Sequence, residues 1–486
     1  MQSSLRILIV AAEMTPFVKT GGLADVIGAL PRALIDAGHD VRIVIPRYGW
    51  IDRQQFDLTM HHEVLPVPLN DTVEHAQLFH TRLHNITVWF IDYPAFFDRD
   101  GVSMYDDDDH RFIFFCRAAL ESCRQLEWQP DVIHCHDWHA AIIPNWLRTT
   151  LVDDPFFAHT ASLLTIHNLA FQGVFGHRVL EIAGVPALDF AVNESIDARN
   201  SVALLGRGIY FADIINTVSP SYANEILEPA AGAGLHDVLR TRHDRLYGVL
   251  NGIDGAVYNP SSDALIAATY TLDDLTGKAL CKSALQRELG LTVDAQVPLL
   301  SVIARLTNLK GYDLIDEIIE PLLQQHPVQL VVMGTGQQRF HSRLNELRAR
   351  YPQQIAFRLT FDEALAHRII AGADLFLMPS RVEPCGTGQM IAMRYGTVPV
   401  VRATGGLRDT VTNYHAPSNY GTGFIFDDAT SQALRDAIER ALAVYADAPQ
   451  FRMLMMRGML SDFTWQVAAQ RYVDLYRRAI AARHHS

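Results

Sequence analysis

Two cations and one carboxylate in the second half of the chain have the types and spacing of a diphosphate site. Arg305 follows an apolar, β-branched run at 297–304, and Lys310 opens the helical pattern that comes next. A guanidinium grips phosphate oxygens with its planar fork, and an ammonium acts as a compact charge beside it. Glu383 follows a later strand pattern, just before another predicted helix. A carboxylate beside a phosphate pocket indicates that a neighbouring sugar gains positive charge during the reaction.

Glycine residues accompany these side chains at the ends of the predicted strands. Glycine lets the backbone approach a ligand closely, and the first N–H groups of a helix attract anions. On this basis we predict donor-binding positions at Gly334, Gly336, Gly386, Thr387, Gly388, Gly405 and Gly406, in addition to Arg305 and Lys310.

The opening of the chain contains a second anion-binding pattern. An apolar run at 6–12 predicts a strand buried on both faces, and apolar residues recur at helical spacing from Ala24 onward. The loop between them holds Lys19 and the glycine pair that ends at Gly22. Strand, glycine-rich loop and helix start together form an anion site, to which Lys19 adds a positive charge. The alternative is an ordinary turn that needs glycine for its geometry and carries a surface lysine.

Polar side chains also follow the strands predicted at 131–134 and 162–166. Asp137 comes after the first strand with histidines on both sides of it, and His167 comes after the second. A zinc site is one interpretation of these histidines, but Trp138 is a poor metal neighbour and no fourth ligand lies near in sequence. We favour hydrogen-bonded residues that line a binding site, and we expect no metal and no cofactor.

Two sheets are needed to position these residues. Strand and helix patterns alternate through the first half of the chain and again, after a break at 254–263, through the second half. Such alternation predicts two Rossmann-like, doubly wound parallel sheets. Ligands of such sheets bind beyond the carboxyl ends of the strands, so we expect the active site in a cleft between the domains. The predicted domains are 1–253 and 254–463, followed by a last helix at 464–486.

Composition restricts the partners. A formal net charge of −13 and a pI near 5.9 argue against nucleic acid or an anionic membrane. Five cysteines without metal-like spacing favour a reducing cytoplasm. The apolar run 5–12 is too short to span a membrane, and the acidic run 106–109 is interpreted as a solvated loop. We therefore expect a cytoplasmic protein with no nucleic-acid and no membrane partner.

Eight stretches of the chain match one known family. They are KTGGLADV at 19–26, HCHDWH at 134–139, TIHNLAFQG at 165–173, TVSPSYANEI at 217–226, GVLNGIDGAVYNP at 248–260, ARLTNLKG at 304–311, PSRVEPCG at 379–386 and TGGLRDTV at 404–411. With these motifs, spread in order over nearly the whole length, the chain resembles bacterial glycogen synthases and plant starch synthases.

The resemblance implies a fold and an activity. It implies a retaining glucosyltransferase of the two-domain GT-B fold, whose last helix returns to the N-terminal domain. Such enzymes move glucose from ADP-glucose to the 4-hydroxyl at the non-reducing end of an α-1,4-glucan, and so elongate glycogen or starch. The N-terminal domain would then serve the acceptor glucan, and the C-terminal domain the nucleotide-sugar donor.

The resemblance also assigns roles in the first domain. Lys19 and Gly22 match the loop that contacts the donor. Asp137 matches the acid of the HDWH motif, and His167 matches the histidine that touches the glucose.

In the second domain the matches define the charged groups. Arg305 and Lys310 match the pair that neutralises the leaving diphosphate, and Glu383 matches an acid close to the glucose ring. The family has EPCGLTQ where this chain has Thr387 and Gly388 in place of Leu and Thr. The hydroxyl is therefore shifted by one residue, which predicts weaker donor binding. The alternatives are a transferase of the same fold that uses UDP-glucose or another acceptor, and a weakened glucan-binding relative.

Overall fold

The computed structural model describes residues 4–70, 72–185 and 201–484, which fold into two α/β units. Unit 1 comprises Met1–Gly252 together with Trp465–Ser486, and unit 2 comprises Ile253–Thr464. Each unit is built on its own parallel or largely parallel sheet, so the predicted fold class of two α/β domains is confirmed.

In its described residues, unit 1 contains a nine-stranded sheet and a separate pair of antiparallel strands. Its strands are β1 (Arg6–Val10), β2 (Asp40–Pro46), β3 (Thr59–Leu69), β4 (Thr72–Leu83), β5 (Ile86–Asp92), β6 (Val132–His136), β7 (Ala161–Ile166), β8 (Val174–Gly176), β9 (Ser201–Ala203), β10 (Ile214–Thr217) and β11 (Leu246–Gly248). The large sheet has the order β11-β10-β7-β6-β1-β2-β5-β4-β3, and β8 pairs with β9.

The central strands of unit 1 are buried on both faces. All the residues of β6, β7 and β10 are buried, as expected for parallel strands covered by helices. The edge differs, because β3 pairs antiparallel with β4 and β4 pairs antiparallel with β5. These antiparallel pairs make the sheet of unit 1 mixed rather than purely parallel, and neither β3 nor β4 was predicted from the sequence.

Helices cover the sheet of unit 1. They are α1 (Gly22–Asp36), α2 (Pro94–Phe97), α3 (Asp108–Gln125), α4 (Asp137–Ala140), α5 (Ile142–Arg148), α6 (Arg178–Ile182), α7 (Leu204–Phe211), α8 (Pro220–Glu225) and α9 (His236–Thr241).

The start of α3 corrects one prediction. The acidic run 106–109 is not wholly a solvated loop, because Asp108 is buried and forms an ion pair with the fully buried Arg111. The backbone N–H groups of Met104 and Tyr105 also donate to the Asp108 carboxylate. A buried charge needs such partners, and Asp108 thus fixes the entry into α3.

Unit 2 contains a six-stranded parallel sheet in the order β14-β13-β12-β15-β16-β17. Its strands are β12 (Leu299–Ile303), β13 (Gln329–Met333), β14 (Ile355–Arg358), β15 (Leu375–Met378), β16 (Val398–Arg402) and β17 (Phe424–Phe426). Its helices are α10 (Thr276–Leu289), α11 (Tyr312–Gln325), α12 (Gln338–Arg350), α13 (Glu363–Gly372), α14 (Gly388–Arg394), α15 (Gly405–Thr410), α16 (Ser431–Tyr445) and α17 (Ala448–Leu460).

The last described helix, α18 (Trp465–His484), belongs to unit 1 and lies against α1 and β7. Its Tyr472 and Tyr476 are fully buried there. Among the described helices, none combines the length and the apolar composition needed to cross a membrane.

Strand order places the candidate site residues. In unit 1 the chain starts at β1 and proceeds to β2 on one side and, later, to β6 on the other. In unit 2 the corresponding reversal lies between β12 and β15. Crevices at such reversals, beyond the carboxyl ends of the strands, are where doubly wound sheets bind ligands.

Candidate functional site

The strand-end loops of unit 2 bring Lys310 and Glu383 into direct contact. The Lys310 Nζ donates to Glu383 Oε2 at 2.6 Å, and the Ser380 hydroxyl donates to the same oxygen at 2.9 Å. The Glu383 side chain is 9% exposed and that of Lys310 is 22% exposed. A carboxylate this deeply buried needs such hydrogen-bond partners to offset the loss of its contact with water. Lys310 and Glu383 were predicted separately, and their pairing, as well as the contribution of Ser380, went unpredicted.

One glycine-dependent contact and one ion pair hold the loops of this site together. Gly311, with φ of +69°, ends the 3₁₀ turn that carries Lys310, and a Cβ there would lie 2.0 Å from the Pro379 carbonyl oxygen. Only glycine fits both the left-handed backbone and the close approach. Next to it, Arg381 forms a two-pronged ion pair with Asp313 at 2.7 and 2.8 Å. The loop after β12 is thereby fastened to the loop after β15.

The predicted glycines at 405 and 406 have a packing role in the structure. A Cβ on Gly405 would lie 2.1 Å from the Glu383 carbonyl oxygen, and one on Gly406 would lie 2.0 Å from that of Cys385. The Gly406 N–H donates to the Glu383 and Pro384 carbonyls. These glycines therefore support the backbone that carries Glu383, and their contact with a donor remains a prediction.

Gly334 and Gly336, which follow β13, allow a similarly close approach of two backbone segments. A Cβ on Gly334 would lie 1.8 Å from the Ala304 carbonyl oxygen, and one on Gly336 would lie 2.2 Å from that of Leu306. The loop that carries Arg305 thus lies directly on the loop after β13. The Arg305 side chain is exposed and has no hydrogen bond or ion pair within the described residues, so its guanidinium is available to a ligand.

The segment 386–388 joins the Glu383 loop to α14. The Gln389 amide donates to the Cys385 and Gly386 carbonyls, which fixes the turn from inside. Thr387 is exposed and its side chain does not cap the helix. A Cβ on Gly388 would lie 3.1 Å from the Phe376 ring, so a larger residue there would have to displace that ring slightly.

Unit 1 places Asp137 and His167 side by side at the ends of β6 and β7. The His167 backbone N–H donates to Asp137 Oδ1 at 2.7 Å. Asp137 has a φ of +53°, a left-handed conformation that Asp tolerates better than most residues. Burial raises the pKa of Asp137 to about 7, although N–H groups of His167 and Asn168 stabilise the carboxylate and oppose the rise. The site of unit 1 thus holds an acid that titrates near neutrality.

A tier of buried histidines lies beneath this pair. His136 Nδ1 is 2.9 Å from His167 Nε2, and the rings of His136 and His134 lie 4.0 Å apart. His134 in turn contacts the Thr165 hydroxyl at 2.7 Å and the Tyr476 hydroxyl of α18 at 3.0 Å. Burial lowers the pKa values of His134 and His136 well below the ordinary range, and that of His167 to about 3. The imidazoles are therefore neutral at pH 7, and within the described residues no group of three or more His, Cys, Asp or Glu could hold a metal ion.

The glycine-rich loop after β1 is anchored by a carboxylate that was not among the predicted site residues. The buried Glu13 accepts from the Thr20 N–H at 2.5 Å and from the Thr20 hydroxyl at 2.6 Å. Lys19 is half exposed and forms an ion pair with Asp25 at 2.7 Å. A Cβ on Gly22 would meet no atom of the described residues within 4 Å. The loop is thus held from one side and open on the other, where Lys19 and Gly22 lie.

An open cavity of about 860 Å³ lies elsewhere on unit 1. It is lined by residues such as Arg42, His61, His80 and Trp89, at the edge of the sheet formed by β3 to β5. None of the predicted site residues lines it, so cavity size does not locate the chemistry in this chain.

Known families match both units. The family described as "Starch synthase catalytic domain" matches residues 6–241, and "Glycosyl transferases group 1" matches residues 291–451. The glycogen synthase of Syntrophotalea carbinolica is 44% identical over 486 residues, covering 99% of this chain and 100% of that protein. The glycogen synthase of Moorella thermoacetica is also 44% identical, covering 99% and 98%.

Solved structures give the same result. The catalytic domain of starch synthase IV from Arabidopsis thaliana, bound to ADP and acarbose, is 33% identical with a TM-score of 0.90, covering 99% of this chain and 100% of that one. Sucrose-phosphate synthase from Thermosynechococcus elongatus, at 18% identity and a TM-score of 0.60 over 98% of this chain and 100% of that one, shares the fold.

Two α/β units with cations and a carboxylate at their strand ends, and a match to the glycosyl transferases, define the class as a glycosyltransferase. The chain belongs to the glycogen synthase and starch synthase family. It is accordingly an enzyme of glucosyl transfer that elongates a glucan.

Proposed function

We propose that the chain moves glucose from ADP-glucose to the 4-hydroxyl at the non-reducing end of an α-1,4-glucan, with retention of configuration. The observation that carries this proposal is the Lys310–Glu383 ion pair at the strand reversal of unit 2, with the exposed Arg305 on the same loop as Lys310. The ADP bound to the Arabidopsis starch synthase supports the choice of donor, since that protein matches 99% of this chain.

Arg305 and Lys310 would neutralise the leaving diphosphate. When the bond between glucose C1 and the phosphate oxygen breaks, negative charge develops on the diphosphate, and preorganised cations stabilise it. The Lys310 ammonium has three N–H groups and commits one to Glu383, so the others can reach a phosphate oxygen. Glu383 would face the positive charge that develops on the sugar ring. The acceptor hydroxyl attacks C1 from the face that the diphosphate leaves, and its proton passes to the leaving phosphate oxygen.

The residues of unit 1 would recognise neutral groups. Asp137 and His167 offer a carboxyl that titrates near 7 and an imidazole that stays neutral, both suited to hydrogen bonds with sugar hydroxyls. Lys19 and Gly22 would contact the donor from the open side of the loop that Glu13 anchors.

Two alternatives follow from the sequence. The enzyme could prefer UDP-glucose or another acceptor, or it could be a weakened glucan-binding relative because of Thr387 and Gly388. The intact pair of Lys310 and Glu383 argues for activity, because a chain that no longer catalyses transfer has no need to keep a buried charge.

One assay separates these alternatives. Radiolabelled ADP-glucose and UDP-glucose are each supplied with glycogen, and incorporation into the polymer is measured. We expect incorporation from ADP-glucose to exceed that from UDP-glucose at least tenfold, and to persist in EDTA because no metal is proposed. Equal or reversed donor preference would contradict the choice of donor, and no incorporation from either would favour the weakened relative.

A further inference from the structure

His136 is a completely buried histidine with one ring nitrogen engaged and one without a partner. It is the last residue of β6 and is 0% exposed. Its Nδ1 lies 2.9 Å from His167 Nε2. Its Nε2 is buried and has no hydrogen-bond partner among the described residues.

Both imidazoles are neutral, so one proton is shared along the line that joins them. Burial keeps the pKa of His136 well below the ordinary range and that of His167 at about 3. Each ring therefore carries a single N–H at neutral pH. Either His136 Nδ1–H donates to His167 Nε2, or His167 Nε2–H donates to His136 Nδ1.

The unpartnered nitrogen of His136 decides between the two arrangements. In the second arrangement the remaining proton of His136 sits on Nε2, as a buried N–H with no acceptor. In the first arrangement Nε2 is a bare acceptor, and unsatisfied acceptors are tolerated better in protein interiors than unsatisfied N–H donors. His136 is thus the donor, and His167 must carry its own proton on Nδ1.

We propose that His136 is a positioning residue that holds His167 in the Nδ1–H tautomer, so that a neutral N–H is offered to an oxygen of the glucosyl group. His167 Nδ1 takes part in no hydrogen bond with the described residues, which leaves it available to a ligand. His134 packs on the His136 ring, but both of its own ring nitrogens are engaged by the Thr165 and Tyr476 hydroxyls, so it does not determine which nitrogen of His136 carries the proton. The assignment of the acceptor to the glucosyl group rests on the proposed function, whereas the tautomer does not.

The test is the ¹⁵N spectrum of histidine-labelled full-length protein, in which two-bond couplings report which ring nitrogen carries the proton. The His167 signals are assigned by their loss in His167→Gln. We expect His167 to be protonated on Nδ1 in the parent protein and in His136→Asn, whose amide can donate from nearly the same position. In His136→Leu, which has no donor, we expect the proton to move partly or wholly to Nε2.

Activity provides the second readout. Loss of one neutral hydrogen bond to the substrate lowers kcat/KM roughly two- to tenfold, so we expect that loss in His136→Leu and its recovery in His136→Asn. The control is Tyr476→Phe, which removes a buried hydrogen bond two residues further down the tier. It should lower the unfolding temperature without changing the His167 tautomer.

Three results would overturn the proposal. One is protonation of His167 on Nε2 in the parent protein, another is an unchanged tautomer in His136→Leu, and the third is an altered tautomer in Tyr476→Phe. None of these depends on activity. If the spectra behave as expected but no donor is used, the proposed function fails while the positioning role of His136 stands.

Discussion

The sites at the strand ends of the two sheets differ in charge. At the strand reversal of unit 2, Lys310 and Glu383 are paired charges, and Arg305 is exposed beside them. At the strand ends of unit 1, burial keeps His167 neutral and raises the pKa of Asp137 to about 7. One scaffold therefore builds a charged site where charge develops in the reaction, and a nearly neutral site where hydroxyl groups need hydrogen bonds. The strands contribute to the difference, because β6 of unit 1 carries the buried His134 and His136, whereas β12 and β15 of unit 2 are almost wholly apolar.

Removing Lys310 is the strongest test of the charged side. Lys310→Ala takes away the cation that faces the diphosphate and leaves Glu383 buried without it. Loss of one such transition-state contact costs about 3–4 kcal/mol, so turnover with ADP-glucose should fall about 10²- to 10³-fold. The control is Arg368→Ala, which breaks the exposed pair with Glu288 in the same unit and should change little. If the turnover of Lys310→Ala stays within threefold of the parent, the charge at the site of unit 2 does not serve catalysis, and the proposed difference between the two sites is wrong.

Asp137→Asn tests the neutral side through pH. The folded pKa of about 7 lies above the unfolded value near 3.8, so the carboxyl contributes stability at low pH that is lost as pH rises through 7. Asn does not titrate, and the variant should therefore gain stability relative to the parent as pH rises from 4 to 7, by about 4 kcal/mol in total for a pKa shift of about three units. Urea unfolding at several pH values measures the difference. If the difference in unfolding free energy between the variant and the parent is constant with pH, or shrinks as pH rises, Asp137 is already ionised at neutral pH and the prediction is wrong.

Paired glycine substitutions compare how tightly the two loops are built. In Gly406→Ala the new Cβ would meet the Cys385 carbonyl at 2.0 Å, whereas in Gly22→Ala no atom in the described part of the chain lies within 4 Å of it. Overpacking of this kind costs about 1–3 kcal/mol, so Gly406→Ala should lower both the unfolding temperature and kcat/KM. Gly22→Ala should leave the unfolding temperature unchanged or slightly higher. If Gly22→Ala alone raises the KM for ADP-glucose, the predicted contact of that loop with the donor gains support.

The smallest expected effect concerns the departure from the family pattern. Thr387→Leu with Gly388→Thr restores the family's hydroxyl position, and a hydrogen bond to the donor phosphate should then lower the KM for ADP-glucose roughly threefold to thirtyfold. The structure adds a condition, because the Phe376 ring lies 3.1 Å from the new Cβ and must give way. Thr387→Ala tests the competing view, in which the Thr387 hydroxyl already contacts the donor phosphate and its loss raises the KM. If the KM for ADP-glucose neither falls in the double variant nor rises in Thr387→Ala, the donor phosphate is bound by the backbone N–H groups of 386–388 alone.

The sequence was informative where local pattern determines structure. The apolar runs that became β1, β6 and β7 are buried on both faces, and their ends carry the polar motifs as predicted. The hairpin of β3 and β4 was missed because β3 lies at the sheet edge, where most of its side chains are exposed or partly exposed. His61, Pro66 and Pro68 interrupt any apolar alternation there, so tertiary pairing rather than propensity makes the strand.

The partners within the sites could not be read from the sequence. Lys310 and Glu383 are 73 positions apart, and His136 and His167 are 31 apart. Only the strand order of each sheet brings these residues together. The glycines at 405 and 406 illustrate the other limit, because the sequence indicated close backbone approach but not that the approaching group is the backbone of Glu383 and Cys385.

The contact between His134 and Tyr476 has a consequence for synthesis. The two residues are 342 positions apart, so at about 5–20 residues per second the ribosome produces the second roughly 20–70 s after the first. All of unit 2 lies between them and can fold during that interval. The packing of unit 1 is complete only when α18 covers β7 and its tyrosine hydroxyls contact His134 and Asn216. The first unit to be translated is therefore the last to be completed, and its exposed apolar face is the one that chaperones would have to protect.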